Sequence, residues 1–114
     1  MTMAERVTIL EVGPRDGFQN VQVFIPTEDK IKVVNELVDA GLTRIETSSF
    51  VHPKWIPQLR DAEEVFANIR KPAGVVFSAL VPNERGLDRA IATGVKEVCY
   101  VCLLYTSDAA DEED

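Results

Sequence analysis

An alternation limits what this chain can fold into more than any other feature. Short apolar runs of strand length alternate with stretches whose apolar residues recur every three or four positions. Residues 7–12 form the first run, and 43–47, 75–80 and 96–101 form the others. Between them, Ile31, Val34, Leu37 and Val38 predict one apolar helical face. Ala62, Val65, Phe66 and Ile69 predict a second, and Leu87, Ala90 and Ile91 a third. The punctuation agrees. Thr27 is a candidate N-cap, with Glu28 and Asp29 at the positive end of the helix dipole, and Gly41 stands where that helix should end. Pro82 and Asn83 break the third run and cap a helix over 84–93, which Gly94 closes. Residues 48–57 read as a long loop holding the only histidine, His52, and the only tryptophan, Trp55.

The resulting order is β-α-β-α-β-α-β: an α/β chain with four parallel strands and three helices. Two architectures fit, a doubly wound open sheet and the N-terminal half of a (β/α)8 TIM barrel. An open nucleotide-binding sheet carries a glycine-rich phosphate loop after its first strand. The sequence there is Gly13-Pro14-Arg15-Asp16-Gly17, in which Pro14 blocks close approach and Asp16 repels phosphate. The barrel fits better, because Arg15, Asp16 and Glu46 then fall at the C-terminal ends of strands, where barrel chemistry gathers.

A length of 114 residues suits one small domain. The net charge of −7 owes most to Asp108, Asp111, Glu112, Glu113 and Asp114 at the end of the chain. No basic patch of the kind that binds nucleic acid is present; Arg70-Lys71 and the pair Lys30 and Lys32 read as solvated helix surface. No apolar stretch reaches the length of a membrane span. Residues 1–6 lack the apolar core of a signal peptide, so a cytoplasmic protein is expected. Cys99 and Cys102 have C-x-x-C spacing, but positions three apart on a strand point to opposite faces. They are expected as buried apolar residues, not as a metal or redox pair.

Residues 11–20, EVGPRDGFQN, carry the densest chemistry. Proline has no N–H to give a ladder, so Gly13-Pro14 ends the strand. A cation, an acid and Gly17 then stand together, as at the mouth of a site. The structural alternatives are a polar loop in which Asp16 caps a turn and Glu46 pairs with Arg44 or Arg15 at the surface.

These residues resemble the 3-hydroxy-3-methylglutaryl-CoA lyase family. The likeness rests on 11–20 (EVGPRDGFQN), 41–51 (GLTRIETSSFV), 53–58 (PKWIPQ), Pro82-Asn83 and 94–98, and covers about residues 5–100. Phe18 departs from the leucine commoner there. The resemblance implies a TIM barrel using Mg²⁺ or Mn²⁺, and cleavage of hydroxymethylglutaryl-CoA to acetyl-CoA and acetoacetate. It implies Asp16 as a metal ligand, Arg15 as the residue that binds substrate and steadies an enolate, and Glu46 as an acid near the metal and its water. It places Gln19 and Ser49 along the substrate pocket. A small-molecule acyl-CoA is the implied partner, with no nucleic acid or membrane, in a homo-oligomeric parent protein. The family's remaining metal ligands and its active-site cysteine have no counterpart in these residues, and neither Cys99 nor Cys102 matches that cysteine.

The chain by itself is therefore expected to be inactive. Residues 1–102 are expected as part of a barrel domain, and 103–114 as a non-native acidic tail. Two other readings are an acyl-CoA/2-oxo acid condensing synthase of the same wider group, whose first motif would end in Gly-Glu-Gln, and a non-catalytic α/β module.

Overall fold

The computed structural model describes residues 6–101, and places three parallel strands side by side in chain order among them. They are β1 (Arg44–Ser49), β2 (Val76–Val81) and β3 (Glu97–Tyr100). The helices are α1 (Thr27–Asp39), α2 (Ala62–Asn68) and α3 (Glu84–Ala92). Strand order without reversal is the barrel pattern; a doubly wound sheet reverses at a switch point.

The strand count is three, not four. The run at 7–12 meets the sheet through one bridge, with Glu11 N donating to Arg44 O and Glu46 N donating to Glu11 O. Val7 is 83% exposed and Ile9 64%, so the apolar pattern there is not matched by burial. A strand is held by cross-strand neighbours and a covered face, and beyond Glu11 this run has neither among the described residues.

The predicted helical faces hold for the first two helices. Val34 of α1 is fully buried, with Ile31, Leu37 and Val38 packed against the core beside it. Ala62, Val65, Phe66 and Ile69 all enter that core, where Phe66 stacks on Phe50 with ring centroids 5.7 Å apart. Such a pair adds about 0.5–1.5 kcal/mol beyond its buried area. Gly41 follows α1 with φ +101°, the left-handed geometry that ends helices.

Several local expectations change. Pro26, not Thr27, precedes the first turn of α1, and the Thr27 hydroxyl donates to Asp61 Oδ2 at 2.6 Å. The stretch read as loop gives way at Pro57 to a 3₁₀ turn, Pro57–Leu59, before α2 begins at Ala62. Ser48 and Ser49 belong to β1, not to the loop after it. Lys30 is 3% exposed and so is not solvated surface. Cys99 is exposed, against the expectation of a buried thiol, and Cys102 lies outside the described residues, as does the tail at 103–114.

Of the inward residues predicted for the third helix, Ala90 is fully buried and Leu87 half-buried, and only Ile91 departs. Asn83 caps it as expected, its Oδ1 accepting from Gly86 N at 2.8 Å. Ile91 is 63% exposed, and the buried positions are Gly86 and Ala90. A Cβ on Gly86 would lie 2.8 Å from Phe50 O and 2.8 Å from Pro82 Cδ, so the helix sits against the chain leaving β1 too closely for any side chain. Alanine inside a helix is normally favoured over glycine by roughly 0.5–1 kcal/mol. Here both neighbours are backbone or ring atoms that cannot swing away. Gly86→Ala is expected to destabilise by about 1–3 kcal/mol, read as a lower urea midpoint. An unchanged or raised midpoint would show that α3 can lift off.

On the outer side Arg89 grips Glu63 of α2 with two hydrogen bonds, 2.7 and 3.0 Å, joining α3 to α2. That contact holds the Glu63 carboxyl below its usual range. No described helix is long and apolar enough to cross a membrane.

Candidate functional site

The site is assembled from a turn and a strand. The turn is Gly13–Gly17, a single wide helical turn in which Arg15 N and Asp16 N both donate to Val12 O, at 3.1 and 2.7 Å. Pro14 is its buried residue, and its missing N–H costs nothing in a first turn. The backbone of Arg15 and Asp16 is thus fixed immediately after the Glu11 bridge to β1.

The strand is β1, and its geometry is not regular. Glu46 is in register with Ser78, Ser48 with Ala79 and Ser49 with Leu80, so Thr47 is an extra residue without a partner on β2. In a regular strand Glu46 and Ser49 would point to opposite faces. The bulge removes that mismatch: their partners Ser78 and Leu80 are two apart and share a face, and Glu46 and Ser49 therefore share it too. Nothing in the sequence marks the bulge, because Thr47 is an ordinary strand residue.

Turn and strand meet through Arg15. Its Nε donates to Glu46 Oε1 at 2.9 Å, and the side chains are 19% and 6% exposed. The Glu46 pairing foreseen as a surface alternative is real, but it is buried. Arg44 is taken by Glu97 of β3 instead. Arg15 Nη1 also lies 3.4 Å from Asp16 Oδ1 and 3.4 Å from Gln19 Oε1. One guanidinium thus bridges three of the four other predicted site residues.

The remaining one, Ser49, lies beside the same opening. Arg15, Gln19 and Ser49 line a pocket of about 280 Å³ whose other walls are the apolar side chains of Val51, Ile56, Leu80, Val81, Pro82 and Val101. Ser49 is 1% exposed and its Oγ has no hydrogen-bond partner. A buried hydroxyl without a partner costs roughly 1–3 kcal/mol, so Ser49 is an unsatisfied polar group beside the pocket. The pocket combines an apolar wall, a fixed cation and a free hydroxyl, which suits an acyl group bearing oxygens.

Asp16 faces outward. Its side chain is 55% exposed and held loosely, with Asn20 Nδ2 3.4 Å from Oδ1 but only 2.8 Å from the Asp16 carbonyl. No group of three His, Cys, Asp or Glu side chains gathers among the described residues. A divalent cation takes about six oxygen ligands. Asp16 offers one exposed carboxylate here, and the described residues supply no complete site for such an ion. His52 is a loop residue whose Nδ1 accepts from Lys54 N at 3.0 Å.

The HMGL-like family model matches residues 6–111. Hydroxymethylglutaryl-CoA lyase YngG of Bacillus subtilis is 56% identical over 99 residues, which is 87% of this chain and 33% of that protein. The 3-hydroxy-3-isohexenylglutaryl-CoA/hydroxymethylglutaryl-CoA lyase of Pseudomonas aeruginosa is 50% identical over 98 residues, 86% of this chain and 33% of its own length. The chain thus spans about a third of the curated relatives it matches. Among solved structures, the Bacillus subtilis HMG-CoA lyase superposes with a TM-score of 0.82 at 55% identity, covering 88% of this chain and 34% of that one. An Acinetobacter baumannii HMG-CoA lyase, solved with coenzyme A and 3-methylmalate, gives 0.80 at 42% identity over 82% of this chain and 30% of that one. The parallel sheet is the N-terminal part of a TIM barrel. On the family match and these identities, the chain belongs to the HMGL-like family.

Proposed function

We propose that this chain is part of a lyase that cleaves 3-hydroxy-3-methylglutaryl-CoA to acetyl-CoA and acetoacetate. The observation that carries the proposal is Arg15, locked onto buried Glu46 at 2.9 Å beside a pocket that also holds Gln19 and the unpartnered Ser49 hydroxyl. The names of the relatives supply the substrate class, an acyl-CoA, which the pocket alone does not.

The reaction removes the proton of a tertiary hydroxyl, breaks the bond between its carbon and the adjacent methylene, and leaves a ketone and a thioester enolate. Protonation of the enolate carbon completes acetyl-CoA. Negative charge therefore grows on the thioester oxygen. Arg15 meets that charge in this reading, supported by its fixed contact with Glu46, since donors fixed in advance need not reorganise as the charge appears. Glu46 holds the guanidinium by Nε and so orients the Nη groups. In the same proposal it also takes part in proton transfer. Gln19 and Ser49 hydrogen-bond the substrate's other oxygens. Asp16 would be one ligand of Mg²⁺ or Mn²⁺, an ion that acts as a Lewis acid on the substrate's oxygens.

The test uses a full-length lyase in which residues 6–101 replace the matched segment, incubated with hydroxymethylglutaryl-CoA and Mg²⁺ or Mn²⁺. Mass spectrometry should find acetyl-CoA and acetoacetate in equal amounts. Absence of both products, or turnover only when an acyl-CoA is offered with a 2-oxo acid, would replace the lyase reading with the condensing one or with none.

A further inference from the structure

The motif at 53–58 (PKWIPQ) helps mark the chain as a lyase relative, yet apart from Ile56 on the pocket wall none of its side chains belongs to the proposed site. Lys30 and Asp61 are likewise unassigned, and both are buried, at 3% and 4% exposure. Their ion pair measures 2.7 Å, and Lys30 Nζ also donates to the carbonyl of Gln58 and lies 4.3 Å from the centre of the Phe24 ring. The second carboxylate oxygen of Asp61 accepts from Thr27 Oγ1 at 2.6 Å. Every strong interaction of this pair therefore ties the first turn of α1 and the segment before it to the segment at 57–61, which follows β1.

The tie continues to the site. Gln58 Nε2 donates to Val21 O at 2.9 Å. Val21 is the neighbour of Asn20, whose side chain donates to the Asp16 carbonyl at 2.8 Å. Hydrogen bonds joined by the covalent frames of Gln58 and of Val21 with Asn20 thus connect the Lys30–Asp61 pair to the turn that carries Arg15 and Asp16. Burying an ion pair is a poor way to gain stability, since desolvation cancels most of the attraction and an apolar pair of similar volume often serves as well. What the pair does supply is direction, because the ammonium and carboxylate hold their partners at fixed angles.

We propose that Lys30, Gln58 and Asp61 are positioning residues that hold the Arg15–Asp16 turn in register with β1. Their effect on turnover rests on the lyase reading; their effect on the turn does not. The signal was present in the sequence. Lys30 lies four residues before Val34 on the buried stripe of α1, a place where a lysine needs a partner.

The test uses the same full-length lyase and two variants. In Lys30→Met/Asp61→Leu an apolar pair replaces the ion pair. In Gln58→Met only the tie to Val21 is removed at similar side-chain length. The melting temperature of Gln58→Met should stay close to wild type, and that of the double variant should fall modestly, since it also leaves the Thr27 hydroxyl and the Gln58 carbonyl without their partners. Deuterium uptake at the amides of Arg15 and Asp16, both bound to Val12 O, should rise. The kcat should fall by about tenfold or more with a smaller change in KM, since displacing reacting groups by about 1 Å can cost 10²-fold. Wild-type uptake in both variants, or raised uptake with wild-type kcat, overturns the proposal. If the double variant does not fold, Gln58→Met decides alone. If the unmutated lyase releases no acetyl-CoA, the lyase reading fails, and the uptake measurement still decides whether the turn is held.

Discussion

Arg15→Lys in the full-length lyase lowers kcat by about 10²–10³, the usual cost of losing a donor aimed at a developing oxyanion. The expectation follows from the shape of the contacts. Arg15 meets Glu46 through Nε, and Asp16 and Gln19 through Nη1. Lysine keeps the charge, but as a single ammonium on a flexible stem it cannot hold Glu46 with one nitrogen and present two others elsewhere. Glu46 is 5% exposed, so an ammonium would be drawn to it and away from the substrate. Folding should suffer little in this variant, because the buried carboxylate keeps a cation. Arg15→Met, which leaves Glu46 unpaired, should be clearly less stable, by about 3–5 kcal/mol if the carboxylate stays charged. Steady-state kinetics and urea unfolding on both variants check the pair of expectations. A lysine variant within a few-fold of wild-type kcat would remove Arg15 from the enolate role.

The alternation of runs was enough to read the parallel sheet and the three helices, because a helix period and a strand period leave different apolar spacings. Two things broke the pattern. The run at 7–12 has the composition of a strand, but composition sets only a preference, and pairing beyond Glu11 needs a neighbour the sequence cannot show. Ile91 fits a helical stripe, yet α3 packs through Gly86 and Ala90, with Leu87 half-buried, and Ile91 faces out. Of the site, Arg15, Asp16 and Glu46 were legible as charged residues, but not at strand ends: the run before Arg15 is only a bridge at Glu11, and Glu46 is the third residue of β1, which continues to Ser49. That Arg15 and Glu46 would meet was left open, because their separation of 31 positions gives no local signal. Ser49 came from resemblance alone. Its place beside the pocket depends on the extra residue Thr47, which moves everything after it to the opposite face. Lys30 departs from the expectation of solvated surface because a charged residue on a helix is usually solvated, and only its position on the apolar stripe argues otherwise.

Asp16→Asn is expected to weaken the proposed metal binding while leaving the fold intact. The Asp16 backbone is fixed by its N–H to Val12 O and by Asn20 on its carbonyl, and neither contact uses the carboxylate. The side chain is 55% exposed, with only two long contacts at 3.4 Å, so an amide of the same shape should leave the fold intact. What it removes is one anionic oxygen. Losing even an outer-shell partner of a metal ligand typically costs about 10–100-fold in affinity, and losing a direct ligand should cost at least that. Mn²⁺ affinity, followed by electron paramagnetic resonance titration, is therefore expected to fall by about 10–100-fold or more. Excess Mn²⁺ should recover part of the activity. A competing effect has the opposite sign. Without the Asp16 charge 3.4 Å away, Arg15 is less neutralised and would favour the enolate more strongly. If Asp16 acted only by tempering Arg15, the amide would leave Mn²⁺ affinity unchanged and raise kcat. Weakened Mn²⁺ binding with lowered activity identifies Asp16 as a ligand, and wild-type Mn²⁺ affinity would end that assignment whatever happens to the rate.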